Sequence, residues 1–268
     1  MLRELNVHIL PAEGSGPAQT VLLAHGYGCD QSLWREVAQA LPQARRVLFD
    51  WPGAGGSDPD AYDAGRHASL DGYADDLLAL MAALDLHDAV VVGHSVAGTI
   101  AAIAAAREPG RFGQLVMVAP SPCFINDPPG YEGGFDRPQL EALIDALADG
   151  QAAWSRAVAP VVMGNPDRPE LSDQLADSFC AMDPAIALRW ARATFLTDIR
   201  ALVPRVNVPC LVLQCQSDAL APMAVGDWLA AHLPVSRQVS LQATGHCPHV
   251  SAPAEVAHVL SHWMGWRG

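Results

Sequence analysis

Short apolar runs rich in β-branched residues recur along the chain at Leu5–Leu10, Thr20–His25, Arg45–Asp50, Asp88–Gly93, Gln114–Ala119, Pro209–Cys215 and Ser236–Gln242. Most are apolar on consecutive rather than alternating positions, the pattern of strands buried on both faces of a parallel sheet. Helical periods lie between them at Gln31–Leu41, Leu70–Leu86, Val96–Arg107 and Ala252–Trp266. In the second, Leu70, Tyr73, Ala74, Leu77, Leu78, Met81 and Leu84 fall on one helical face. The alternation predicts a doubly wound α/β architecture with a mostly parallel sheet flanked by helices.

The rhythm breaks once. After the run ending at Ala119 the next strand pattern begins only at Pro209, and an unstructured loop of that length is improbable in a compact domain. The interval reads as four helices, Arg137–Asp149, Gln151–Met163, Pro169–Ala181 and Pro184–Leu196. Pro166, Pro169 and Pro184 stand near helix starts, and Gly150 and Gly164 near helix ends, as end preferences require. The expected organisation is a core of residues 1–122 and 203–268 with a helical cap, residues 123–202, inserted into it.

Composition narrows the chemistry. The chain has 268 residues and a formal charge of −13, and all 16 of its cations are arginine. Without a lysine amine there is no P-loop, pyridoxal Schiff base, kinase strand lysine or Schiff-base aldolase. The acidic balance argues against a nucleic-acid partner, whose phosphates call for clustered cations. The run Ala89–Ala106 approaches membrane-spanning length but contains His94, Ser95 and two glycines, so it reads as strand, turn and helix. The first residues show no apolar leader, which makes a cytoplasmic location the expectation, with no membrane partner. Six cysteines without CxxC spacing read as reduced structural thiols.

The sharpest local signal is Gly93-His94-Ser95-Val96-Ala97-Gly98, a buried strand entering a helix with serine at the turn. A strand-to-helix elbow of this type holds the serine in a strained backbone region and presents its hydroxyl above the sheet. Ala97 replaces the glycine that usually closes the pattern and still leaves room. A serine hydroxyl needs a base and an acid that orients it, in chain order Ser, Asp, His. Asp218 follows the strand Pro209–Cys215, and His246 follows the last strand in Thr244-Gly245-His246-Cys247-Pro248. Ser95, Asp218 and His246 are the expected catalytic residues.

Acyl transfer also needs two fixed N–H donors for the developing oxyanion. Tyr27, in His25-Gly26-Tyr27-Gly28, and Val96 are the expected pair. The alternative is a Gly-rich turn in which His25 merely satisfies backbone groups. Asp50 to Ser57 reads as a turn rimming the site. His25, His94, His246, Cys247 and His249 match no zinc-ligand spacing, so no metal and no cofactor are expected.

With these residues the chain resembles the α/β-hydrolase superfamily. Within it, HGYGCDQSLWR, SLDGYADDLL, GHSVAGTIAA, MVAPSPCFINDPPGYEGGF, FCAMDPAIA, VPCLVLQCQSDALAP and TGHCPHVSAP resemble the group containing the bacterial stress-response regulator RsbQ and the plant karrikin and strigolactone receptors. The resemblance implies a V-shaped four-helix cap over a closed hydrophobic pocket with the serine at its floor. It implies that Tyr27, Phe124, Phe135, Trp154, Phe179 and Phe195 line that pocket, ordinary cap packing being the alternative for all six and above all for Phe179 and Phe195. Val158 stands where many relatives carry phenylalanine, which implies a wider pocket. The implied activity is hydrolysis of a small hydrophobic ester or lactone, and the implied partner is a stress-pathway signalling phosphatase. A catabolic carboxylesterase and a cofactor-free perhydrolase or haloperoxidase-like enzyme use the same residues without signalling.

Overall fold

The computed structural model describes residues 1–13 and 18–266. Seven strands form one sheet: β1 (His8–Leu10), β2 (Thr20–Ala24), β3 (Arg45–Leu48), β4 (Ala89–His94), β5 (Phe112–Val118), β6 (Cys210–Ser217) and β7 (Ser236–Thr244). Their order is β1-β3-β2-β4-β5-β6-β7, and every pairing is parallel except the antiparallel edge pair β1–β3. The central strands read as continuous apolar runs because both faces are covered. Val21, Leu23, Val90 and Val92 join a core cluster with α1 (Arg35–Gln39) and α10 (Pro253–Trp263). Their neighbours Leu22, Ala24 and Val91 face the cluster built with α2 (Leu70–Ala83) and α3 (Val96–Arg107). That is the doubly wound arrangement expected.

Two expected elements are shorter than their apolar runs. Only His8–Leu10 of the first run is strand, because Leu5 is tucked into the core from a turn and Asn6 takes a positive φ of 46°. The stretch Gln31–Leu41 splits into a 3₁₀ turn, Gln31–Trp34, capped by the Asp30 side chain on the Ser32 N–H, followed by α1.

Between β5 and β6 the chain forms α4 (Arg137–Asp149), α5 (Gln151–Met163), α6 (Pro169–Ala181) and α7 (Pro184–Phe195), which make up the helical cap. Asp136 and Gln139 form a reciprocal capping box at the start of α4. Gly164 ends α5 in the left-handed region. The stem of the insertion closes where Cys123 bridges Asp198 and the Ile199 N–H donates to Pro122 O at 2.9 Å. The apolar faces of the four helices pack together over Cys29, Leu33 and Cys247 of the core, so the cap sits on the carboxyl ends of the strands. Beyond β6 come α8 (Met223–His232) and, after β7, the short α9 (Pro248–Ser251).

Candidate active site

Ser95 follows β4 and caps α3 with φ 53° and ψ −123°, a region L-residues enter only at a cost. The turn is held by hydrogen bonds on both sides: Ser95 N–H donates to Val118 O at 2.8 Å, and Gly98 N–H to Ser95 O at 2.9 Å. Strand and helix pass so closely here that a Cβ on Gly93 would stand 2.5 Å from Gly98 N and 2.6 Å from Ala97 O. Glycine is required at position 93, while the elbow accommodates Ala97.

The elbow brings Ser95 to the ends of β6 and β7. His246 Nε2 lies 2.8 Å from Ser95 Oγ, and His246 Nδ1 lies 2.8 Å from Asp218 Oδ2. The Asp218 side chain is fully buried, and its second oxygen accepts the N–H groups of Leu220 at 2.8 Å and Ala221 at 3.2 Å. Burial pushes its carboxyl towards protonation. The attraction and hydrogen bond of His246 and the two N–H groups outweigh this and hold it below the usual range. A carboxylate so placed orients the imidazole, and an imidazole so oriented accepts the serine proton as the oxygen attacks an electrophile.

Cap and core meet at the imidazole. The backbone N–H of His246 donates to Val162 O at 2.8 Å, at the end of α5. Gly245 has φ 81°, and a Cβ there would fall 1.8 Å from Met163 O. Asn165 closes the junction, donating from Nδ2 to Met163 O at 2.6 Å and to Thr244 O at 3.1 Å. On the core side His94 Nε2 bonds His246 O at 2.8 Å. Burial, and then the neighbouring His246, push the His94 pKa down to about 3, so the ring is neutral and Nε2–H is the donor.

Val96 is the first residue of α3, so its N–H has no acceptor within the helix. Among the described residues the Tyr27 N–H donates to no backbone carbonyl. His25 performs the backbone role weighed as the alternative: Nδ1 donates to Gly26 O at 3.0 Å and Nε2 accepts the Trp51 N–H at 3.2 Å. Asp50 is a correction. It is buried behind His25, where it accepts from Asn6 Nδ2, Gln31 N–H and Gly56 N–H, and none of residues 50–57 lines the cavity above Ser95.

That cavity encloses about 30 Å³, room for little more than a water. Tyr27, Trp154, Val158, Phe179 and Phe195 line it with Ser95 and His246. Phe124 and Phe135 do not. Phe124 stacks edge-on behind Phe195 with ring centroids 5.3 Å apart, and Phe135 packs outside the same cluster while its backbone pairs with Phe124 and Asn126. Sequence reasoning missed Cys29, His94, Leu143, Val162, Leu175, Thr194, Leu220 and Cys247 in the lining. Two of these were within reach of periodicity, since Val162 follows Trp154 and Val158 at i+4 steps on α5 and Leu175 precedes Phe179 by one turn of α6. Among the described residues no cluster of His, Cys, Asp or Glu is arranged to hold a metal ion, and no helix is long and apolar enough to cross a membrane.

Residues 21–259 match the family described as the alpha/beta hydrolase family. A strigolactone esterase of Arabidopsis thaliana is 36% identical over 262 residues, covering 97% of this chain and 96% of that protein. A karrikin insensitive 2 receptor of Petunia hybrida is 37% identical over 257 residues, covering 95% and 93%. The solved structure of a hydrolase from Oleispira antarctica superposes with a TM-score of 0.94 at 39% identity, covering 98% of this chain and 96% of that one. By the span of these matches the chain belongs to the alpha/beta hydrolase family.

Proposed function

We propose that the protein hydrolyses small hydrophobic esters or lactones with Ser95 as nucleophile, His246 as general base and acid, and Asp218 orienting the imidazole. Ser95 Oγ bonds to the carbonyl carbon while its proton passes to His246 Nε2, and Asp218 stabilises the imidazolium. The N–H groups of Tyr27 and Val96 take the negative charge that develops on the carbonyl oxygen. Collapse of the intermediate returns the proton from His246 to the departing alkoxide, which in a lactone stays tethered to the acyl group. Water, deprotonated by the same imidazole, then releases the acid and restores Ser95 Oγ–H. The observation that carries this reading is the unbroken chain Asp218–His246–Ser95, two hydrogen bonds of 2.8 Å at the floor of an apolar cavity. Ser95→Ala is expected to lower turnover of a short-chain para-nitrophenyl ester by about 10⁴-fold or more; turnover at the wild-type rate would refute the mechanism.

A second role, as a ligand-responsive signalling protein with residues 123–202 as the moving cap, is favoured by the receptor relative and by the closed cavity. A substrate-sized molecule enters only if the cap moves, and a cap that moves with occupancy changes the surface offered to a partner such as a signalling phosphatase. Its test is capture of a partner from a cytoplasmic lysate in the presence and absence of a hydrolysable lactone. The role requires a protein whose retention depends on the lactone, and equal retention in both arms removes it.

A further inference from the structure

Two residues that line the cavity, Thr194 and His94, carry a buried polar atom without a hydrogen-bond partner among the described residues. Thr194, on α7 of the cap, is 3% exposed, and its Oγ1 has no hydrogen-bond partner among the described residues. A helical threonine ordinarily bonds the carbonyl four residues back. The neighbouring cap hydroxyls do find acceptors: Ser155 Oγ donates to Gln151 O at 2.8 Å, Thr197 Oγ1 to Ala193 O at 2.5 Å and Ser178 Oγ to Gly28 O at 2.8 Å. Thr194 makes no side-chain hydrogen bond to Trp190 O, and the residue is among those that line the cavity.

Two other polar groups of the lining are occupied. Tyr27 OH donates to Ala187 O at 3.0 Å, and Cys29 Sγ–H to Tyr27 O at 3.4 Å. His94 Nδ1 is also unpartnered, but it lies against Gly26, where even a Cβ would stand 2.5 Å from it, so no ligand atom fits there. A buried hydroxyl without a partner is costly unless something in the occupied state meets it. Esters and lactones offer only acceptors, so the hydroxyl would act as the donor. Thr194 belongs to the cap and Ser95 to the core, so a ligand that meets both carries its second oxygen away from the scissile carbonyl.

Resting on the hydrolase reading above, we propose that Thr194 is a specificity-determining residue that selects esters or lactones bearing an additional ether or carbonyl oxygen outside the scissile group. A site built to hydrogen-bond one substrate oxygen discriminates against the methylene analogue that leaves the donor unpaired.

The test compares para-nitrophenyl pentanoate with its two isosteres, the methoxypropanoate and the ethoxyacetate, in wild type, Thr194→Val, Thr194→Ser and Ser95→Ala. The valine variant is expected to lose about tenfold in the ratio of kcat/KM on at least one oxygenated ester to kcat/KM on pentanoate. Thr194→Ser, which keeps the hydroxyl, is expected to restore the discrimination. Thr194→Ala, which adds no bulk, gives the same readout if the valine variant misfolds. Equal effects on all three esters overturn the proposal while an inactive Ser95→Ala leaves the hydrolase reading standing. A fully active Ser95→Ala refutes that reading, and the proposal with it.

Discussion

Gly245 holds the imidazole in place through what it lacks. Its φ of 81° and the 1.8 Å that would separate a Cβ from Met163 O mean that Gly245→Ala must move either the His246 turn or the end of α5. A shift of about 1 Å at a base costs on the order of 10² in rate. The alanine variant should therefore lose at least that in kcat/KM and about 2–4 kcal/mol in stability. Unchanged kinetics and an unchanged urea midpoint would contradict the assigned junction. Ser95, Asp218 and His246 could be placed from the sequence because each follows a strand pattern, and the carboxyl ends of the parallel strands β4, β6 and β7 lie along one edge of the sheet. The roles of the other histidines were not. His94 meets the carbonyl of a residue 152 positions away, and His25 meets Trp51 across 26, contacts that no local pattern encodes.

The cap helices could be read from their periods and end residues, and α4, α5 and α6 begin and end where those signals stand. The segment between β5 and α4 was less readable. It contains turns and isolated bridges and no period, so nothing in it distinguished Phe124, held behind Phe195, from a residue facing the cavity. Helix α8 was missed as a defined element, since Met223, Ala224, Val225, Trp228, Leu229 and Ala230 put apolar groups on nearly every side. Within the cap, Trp154, Val158 and Val162 share one face of α5, and all three line the cavity. Val158→Phe should close part of that face, lowering kcat/KM for bulky esters by about tenfold while leaving acetate esters within about twofold. A uniform loss across acyl chains would place Val158 outside substrate contact. The esters proposed as substrates exceed the cavity's volume of about 30 Å³, so the proposed function has α4 to α7 opening. Their amides should exchange with solvent faster than those of β4 and β5, and amide exchange as slow as the central sheet would contradict an opening cap.

At the scale of the whole molecule, several imidazoles are buried in the interior, His25, His94 and His249 among them. His249 is fully buried between Trp34 and His94, ring centroids 4.4 Å and 4.2 Å away, and neither of its ring nitrogens has a hydrogen-bond partner among the described residues. Burial, and then the nearby His94 and His246, hold its pKa well below 6.5, as burial does for His94 and His25. The unfolded chain takes up protons on these rings below about pH 6.5 while the folded chain does not, so stability is complete above that pH and falls as the solution is acidified. Each such group contributes a slope of up to roughly 1.4 kcal/mol per pH unit until its folded pKa is reached. Asp218 adds to the loss below about pH 3.8, its ordinary value, because its folded pKa is depressed. His249→Phe keeps a flat ring without a proton to bind, so urea unfolding between pH 7 and about 4 should show a shallower fall; an unchanged slope would show that His249 does not titrate on unfolding. The catalytic assignment has a more direct test, which is intact-protein mass spectrometry after treatment with a fluorophosphonate, followed by peptide mapping. One adduct per chain, located on Ser95 and absent from Ser95→Ala, is the predicted result. An adduct on another residue, or no adduct from protein that still cleaves esters, would contradict the account.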